Sequence, residues 1–171
     1  MLNSSWQKPL RQMLKSLARN DRPARLALMG IGNELNGDDA AGVQVIRHLR
    51  QRLAESPQRL LLEAGQAPES FSGPLRRFQP DLVLWIDAAE MGAAPGAVVW
   101  LQPDEMDGFS ASTHTLPPSV LAGYLTQELA CSVGLLGIQV QQVEFDQPLS
   151  PAVQHAVEQL VDSLAVVLNE A

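Results

Sequence analysis

Two aspartates and one histidine have the residue types and positions needed for chemistry. Asp39 ends the glycine-rich segment 30–39 (GIGNELNGDD), Asp87 ends the apolar segment 81–87 (DLVLWID), and His114 lies in a loop rich in Ser and Thr. Two carboxylates and an imidazole suit a borderline divalent metal and leave positions for water or a substrate atom. Such carboxylates can also orient or deprotonate a water molecule.

Each of these residues also has a purely structural interpretation. Asp39 and its neighbour Asp38 are acids of the kind that a helix start favours through its free N–H groups and its dipole. Asp87 can cap the turn before Gly92, and a lone histidine in a polar loop is typically a surface residue. Spacing alone leaves these interpretations open, so the fold must decide whether the three residues meet.

The elements that must position these residues alternate between strands and helices. Apolar segments predict strands at residues 25–31, 59–63, 81–87, 97–101 and 132–142. Helical spacing and helix-start signals predict helices at residues 40–53, 68–77, 117–129 and 151–168. This alternation is typical of an α/β fold with a mainly parallel twisted sheet of about five strands sandwiched between helices. Such sheets bind ligands at the carboxyl ends of their strands, where we expect Asp39, Asp87 and His114 to lie.

The amino-terminal arm differs in charge from the rest of the chain. Residues 1–25 hold six of the 12 basic residues and one of the 19 acidic ones, so the arm carries +5 and the rest −12. Its apolar residues predict an amphipathic helix of about four turns that begins after Asn3 or Ser4 and ends at Asn20 or Pro23. We expect residues 1–24 to pack on a single α/β domain formed by residues 25–171; binding to a partner protein and targeting are the alternatives.

Composition excludes several functional classes. A net charge of −7 argues against binding of nucleic acid or an anionic membrane through bulk charge. The single cysteine, Cys131, excludes an internal disulfide framework and a multi-cysteine metal site, and we expect it in the core. The strongest apolar run, residues 82–86, is too short to span a bilayer. We therefore expect a soluble, cytoplasmic protein without membrane insertion.

The glycine-rich segment also raises the possibility of dinucleotide binding, with Glu63 as the acid that contacts the ribose. Leu35 stands where the third glycine belongs, and residues 36–39 delay the start of the helix. Two adjacent aspartates would repel a pyrophosphate. Nicotinamide or flavin binding is therefore disfavoured.

Three motifs resemble those of the hydrogenase maturation endopeptidases, which trim the C-terminal tail of the nickel-iron hydrogenase large subunit. They are residues 30–43 (GIGNELNGDDAAGV), 82–88 (LVLWIDA) and 112–117 (STHTLP). Further segments resemble the branch that serves membrane-bound, hydrogen-evolving hydrogenases: residues 67–69 (APE), 88–96 (AAEMGAAPG) and 136–139 (LGIQ). The resemblance spans about residues 26–168. Ala40 departs from it, because many relatives have glycine there.

The resemblance implies an endopeptidase that removes the C-terminal extension of the large-subunit precursor after nickel insertion. It puts the metal-contacting acids on Asp39 and Asp87 and the histidine on His114, with Asp38 as a neighbouring acid and no Ser or Cys nucleophile. The nickel would come with the substrate, and no permanently bound cofactor is expected. Aspartyl-type and metallo-type mechanisms both stay open. So do a non-catalytic assembly factor that binds the nickel-loaded subunit and a metallopeptidase of broad specificity.

Overall fold

A five-stranded sheet forms the centre of the protein, whose computed structural model describes residues 4–19, 22–105, 107 and 116–170. The strands are β1 (Leu26–Ile31), β2 (Arg59–Gly65), β3 (Leu82–Ala89), β4 (Val98–Leu101) and β5 (Ser132–Gln139). Their order is β2-β1-β3-β5-β4, with β4 antiparallel to β5 and all other neighbours parallel. The mainly parallel α/β fold predicted from the sequence is confirmed.

Helices cover both faces of this sheet. In the described residues they are α1 (Gln7–Leu17), α2 (Ala41–Arg52), α3 (Ser72–Phe78), α4 (Pro118–Leu129) and α5 (Pro151–Glu170). Apolar side chains of α1, α2 and α5 pack on one face, and those of α3 and α4 pack on the other. β1 and β3 are buried along their whole lengths, as expected for apolar parallel strands covered on both sides. No described helix has the length and apolar character needed to cross a membrane.

Three strands end at residues other than those predicted, and the first of them, β2, continues to Gly65 instead of ending at residue 63. β3 continues two residues past Asp87 because its pairing with β5 extends to Ala89 opposite Gln139. β5 stops at Gln139 rather than at residue 142, because the backbone N–H groups of Gln141 and Gln142 donate to the Asp38 carboxylate instead of to a strand. Asp87 therefore lies within a strand rather than at its end.

The amino-terminal helix packs on the sheet through its apolar side. Trp6, Leu10 and Leu14 are buried in the same cluster as α2 and α5. The helix is shorter than predicted, because a 3-10 turn over Ser4–Trp6 precedes it and α1 begins only at Gln7. The predicted N-cap position is therefore wrong: Trp6 takes that position without a side-chain cap.

Cys131 lies in the core, as predicted, and its thiol should be unreactive in the folded protein. It is 3% exposed, and burial raises the pKa of the thiol to about 11. Because the thiolate is the reactive form, we expect iodoacetamide at pH 8 to modify Cys131 only after denaturant is added. Intact-mass measurement with and without urea tests this. Rapid stoichiometric labelling of the folded chain would contradict it.

Candidate active site

The candidate site lies at the carboxyl ends of β1 and β3, the neighbouring strands at which the chain connections run to opposite sides of the sheet. From β1 the chain passes through α2 to β2 on one side, and from β2 it passes through α3 to β3 on the other side. The pairing of β1 with β3 ends at Gly30 opposite Ile86, so the two strands separate just before Asp87. A switch point of this kind opens a crevice in which α/β proteins bind ligands.

Asp39 is held at this crevice by a tight turn. It lies in the 3-10 turn Gly37–Ala40 between β1 and α2 and is 2% exposed. Its carboxylate accepts a hydrogen bond from the Asn33 N–H at 2.9 Å. The backbone of Gly32 lies directly against this turn. Gly32 has φ +134°, and a Cβ atom there would lie 1.7 Å from the Asp39 carbonyl oxygen. The turn that positions Asp39 therefore requires glycine at position 32.

A second glycine brings this turn against β3. Gly42 lies in the first turn of α2, and a Cβ atom there would lie 2.0 Å from the Ile86 carbonyl oxygen and 2.5 Å from that of Ile31. The Gly37–Ala40 turn also contacts β3. Since Ile86 directly precedes Asp87, this approach brings the backbone that carries Asp39 to the backbone that carries Asp87.

Asp87 is 3% exposed and lines a small cleft at the carboxyl end of the sheet. A second carboxylate, Glu69, reaches the cleft from the 3-10 turn Pro68–Phe71 after β2. The other lining residues are mainly apolar: Ile31, Pro68, Trp85, Leu116, Pro118, Leu121 and Leu135. A carboxylate in such surroundings is shielded from water, which strengthens its interaction with a cation or a polarised peptide.

The third predicted residue, His114, lies outside the described residues. Leu116, two residues later in the chain, lines the cleft together with Asp87. Within the described ranges no group of three His, Cys, Asp or Glu side chains could hold a metal ion. The described structure thus brings the Asp39 turn to β3, and the prediction that His114 joins it stays a prediction.

Asp38 has a different role from its neighbour Asp39. It is fully buried, and its carboxylate accepts hydrogen bonds from the N–H groups of Gln141, Gln142 and Ser150 at 2.8, 2.9 and 2.6 Å. It also accepts one from the Ser150 hydroxyl at 2.9 Å. The interpretation of Asp38 as an acid that serves the helix start is therefore wrong, because it ties the Asp39 turn to residues 141–150.

Two polar residues, one at the end of β5 and one shortly after β2, were given no role in the sequence analysis. Gln139, 2% exposed, accepts hydrogen bonds from the N–H groups of Met91 and Ala93 and donates one to Glu90. It thereby fixes the loop after β3, and its bond to Glu90 lowers the pKa of that carboxyl. A polar residue at the end of an apolar strand was the available signal. Glu69 could have been found in the same way, because it follows β2.

Glu63, the acid considered for ribose binding, is engaged by two arginines. Arg47 contacts it at 2.7 Å and Arg50 at 2.6 Å. Arg47 also contacts Glu34 of the glycine-rich segment at 2.7 Å. These ion pairs link that segment to β2, and they occupy the acid that a dinucleotide would need.

We expect Gly32→Ala to damage the site and the fold together. The new methyl group would collide with the Asp39 carbonyl, and alanine would have to adopt a φ of +134° that L-residues rarely adopt. The free energy of unfolding should therefore fall by more than about 2 kcal/mol. Gly92→Ala is the matched control, because Gly92 has φ +68° and open space around its Cα, and it should cost only about 1 kcal/mol. Urea unfolding of both variants measures the difference, and equal losses would contradict the expectation.

Comparisons with known proteins agree over most of the chain. The sequence model of a family described as HycI, hydrogenase maturation protease, matches residues 43–166. The Escherichia coli K12 hydrogenase 3 maturation protease is 31% identical over 140 residues, which cover 80% of this chain and 86% of that protein. The crystal structure of the NiFe hydrogenase maturation protease HycI from Thermococcus kodakarensis superposes with a TM-score of 0.78 at 33% identity, covering 85% of this chain and 93% of that one. The solution structure of the Escherichia coli endopeptidase HycI gives a TM-score of 0.69 at 29% identity, with coverages of 80% and 86%.

Proposed function

This chain belongs to the hydrogenase maturation protease family, and on that premise we propose that it removes the C-terminal extension from the precursor of a nickel-iron hydrogenase large subunit once nickel is in place. The observation that carries the proposal is the buried pair of Asp39 and Asp87 on two segments that meet at the switch point of a sheet built like that of the HycI proteases.

The nickel of the precursor serves in this proposal as the recognition signal. Asp39 and Asp87 offer oxygen donors, and His114 would add a nitrogen donor, a set that suits a borderline divalent cation. Both carboxylates are largely shielded from water, so a cation that the substrate brings close to them would interact with them strongly. A precursor without nickel brings no such cation and should dock poorly.

Peptide hydrolysis at this site needs a water molecule and a base. One of the two aspartates takes a proton from water while the oxygen attacks the scissile carbonyl carbon. The carbon–nitrogen bond then breaks, and the proton passes to the leaving amine. The metal-bearing substrate can assist by polarising the carbonyl or activating the water. The apolar wall of the cleft excludes bulk water from the reacting groups.

The test is incubation of the purified protein with nickel-loaded and nickel-free large-subunit precursor, followed by intact-mass analysis of the precursor C-terminus. We expect cleavage of the nickel-loaded form only. Nickel-dependent binding without cleavage would support the assembly factor instead. Cleavage of unrelated peptides would support a broad metallopeptidase, and neither binding nor cleavage would overturn the proposal.

A further inference from the structure

Three exposed apolar side chains lie on two segments next to the Asp39 turn. Leu35 is 58% exposed, Val143 40% and Phe145 73%. The segments run side by side, because the Asp146 N–H donates to the Leu35 carbonyl at 2.7 Å and Asn36 forms a parallel bridge with Gln147. We call these three residues the Phe145 patch. Large apolar side chains grouped on a surface mark an interaction site more often than isolated ones do.

The patch is held in place by buried hydrogen bonds. Asp38 binds both ends of the segment that carries Val143 and Phe145, through Gln141 and Gln142 on one side and Ser150 on the other. The N–H of Asp38 also donates to the Gln142 carbonyl at 3.0 Å. A surface that is fixed before binding loses little conformational entropy when a partner arrives, so ordering this surface takes little from the binding free energy.

We propose that the Phe145 patch docks the folded body of the large-subunit precursor, an inference that rests on the proposed function. Leu35 lies four residues before Asp39 in the same loop. A protein whose bound nickel reaches Asp39 must therefore lay the surface around that nickel over the neighbouring segments. The patch is the exposed apolar part of those segments.

The charges beside the patch indicate which kind of partner surface would complement it. Exposed carboxylates of Glu144 and Asp146 flank Phe145, and neither forms a salt bridge with any residue that the structure describes. The complementary surface is thus an apolar depression bordered by Lys or Arg. A second copy of this chain fits less well: its basic element, α1, already buries its apolar side, including Leu10, in its own core.

The experiment compares Val143→Ser, alone and combined with Phe145→Ser, with Val166→Ser as the matched control. Val166 is 53% exposed and lies on α5. Initial rates of cleavage are measured over a range of nickel-loaded precursor concentrations. We expect the double variant to raise KM at least about tenfold with kcat within about twofold of the original, and Val166→Ser to change neither.

An unchanged KM in the double variant would overturn the docking proposal while leaving the proposed function intact. If the original protein binds nickel-loaded precursor without cutting it, the same variants are compared by Kd, and equal Kd values overturn the proposal. Absence of both binding and cleavage overturns the two together. Sedimentation velocity tests whether a second copy of this chain occupies the patch instead. Self-association that the double variant abolishes would assign the patch to a second copy and overturn the proposal.

Discussion

Asp87→Asn is expected to lower the rate of cleavage of nickel-loaded precursor at least about 100-fold without unfolding the protein, because general acid–base groups contribute about 10²–10⁴ to a rate. Asparagine keeps the size of the side chain in the cleft but lacks its negative charge and its basicity. Initial rates from intact mass at pH 7 give the loss, and thermal unfolding checks the fold. His114→Ala should show the same loss if the histidine belongs to the site.

Asp162→Asn is the control for this experiment. Asp162 is exposed on α5 and forms a surface ion pair with Arg52 at 2.6 Å, so the same substitution there should leave both rate and stability nearly unchanged. Normal turnover by Asp87→Asn would show that the Asp87 carboxylate takes no part in the mechanism. A loss shared by Asp87→Asn and Asp162→Asn would point to a nonspecific effect of charge.

Asp38→Asn is expected to destabilise the fold strongly. The carboxylate accepts four hydrogen bonds in a fully buried position, and an amide would turn an NH₂ donor toward other donors. We expect the free energy of unfolding to fall by roughly 2–4 kcal/mol. Thermal unfolding should show a decrease in Tm of roughly 10 °C for a chain of this size.

The comparison with Ser150→Ala separates this network from a general effect of the loop. That variant keeps the three backbone N–H bonds to Asp38 and loses only the hydroxyl, which donates to Asp38 and accepts from the Val153 N–H, so it should cost about 1–2 kcal/mol. Activity of Asp38→Asn should recover when the assay temperature is lowered, because its defect lies in folding. The defect of Asp87→Asn should persist at every temperature. Equal stability of Asp38→Asn and Asp162→Asn would contradict the proposed role of Asp38.

The mainly parallel sheet, and the edge of it at which the site was expected, follow from signals carried by short segments. β1 and β3 are apolar almost throughout, which predicts central parallel strands, and the aspartates near their carboxyl ends were expected at one edge for that reason. The glycines beside Asp39 were visible in the sequence, but glycine is required there because two backbone segments approach each other closely. That approach depends on how α2 crosses β3, and no local pattern contains it.

The hydrogen-bond partners of Asp38 and Gln139 could not be predicted, because they are distant in the chain. Asp38 binds residues 103 to 112 positions later, and Gln139 binds a loop 46 to 49 positions earlier. In the sequence, the nearest feature that could explain Asp38 is the start of the following helix. The Phe145 patch has no signal in the sequence for a related reason, since Leu35 and Phe145 become neighbours only after the sheet has formed.

The hydrogen bonds of Asp38 also set an order of events during synthesis of the chain. Ser150 donates to Asp38, and its hydroxyl also accepts a hydrogen bond from the Val153 N–H in the first turn of α5. The segment that carries Asp39 leaves the ribosome early, but the donors that satisfy Asp38 are translated more than 100 residues later. A nascent chain therefore holds its acids in an unfinished loop until the start of the last helix has emerged. On the proposed function, the site can therefore act only after residues 141–150 have been translated.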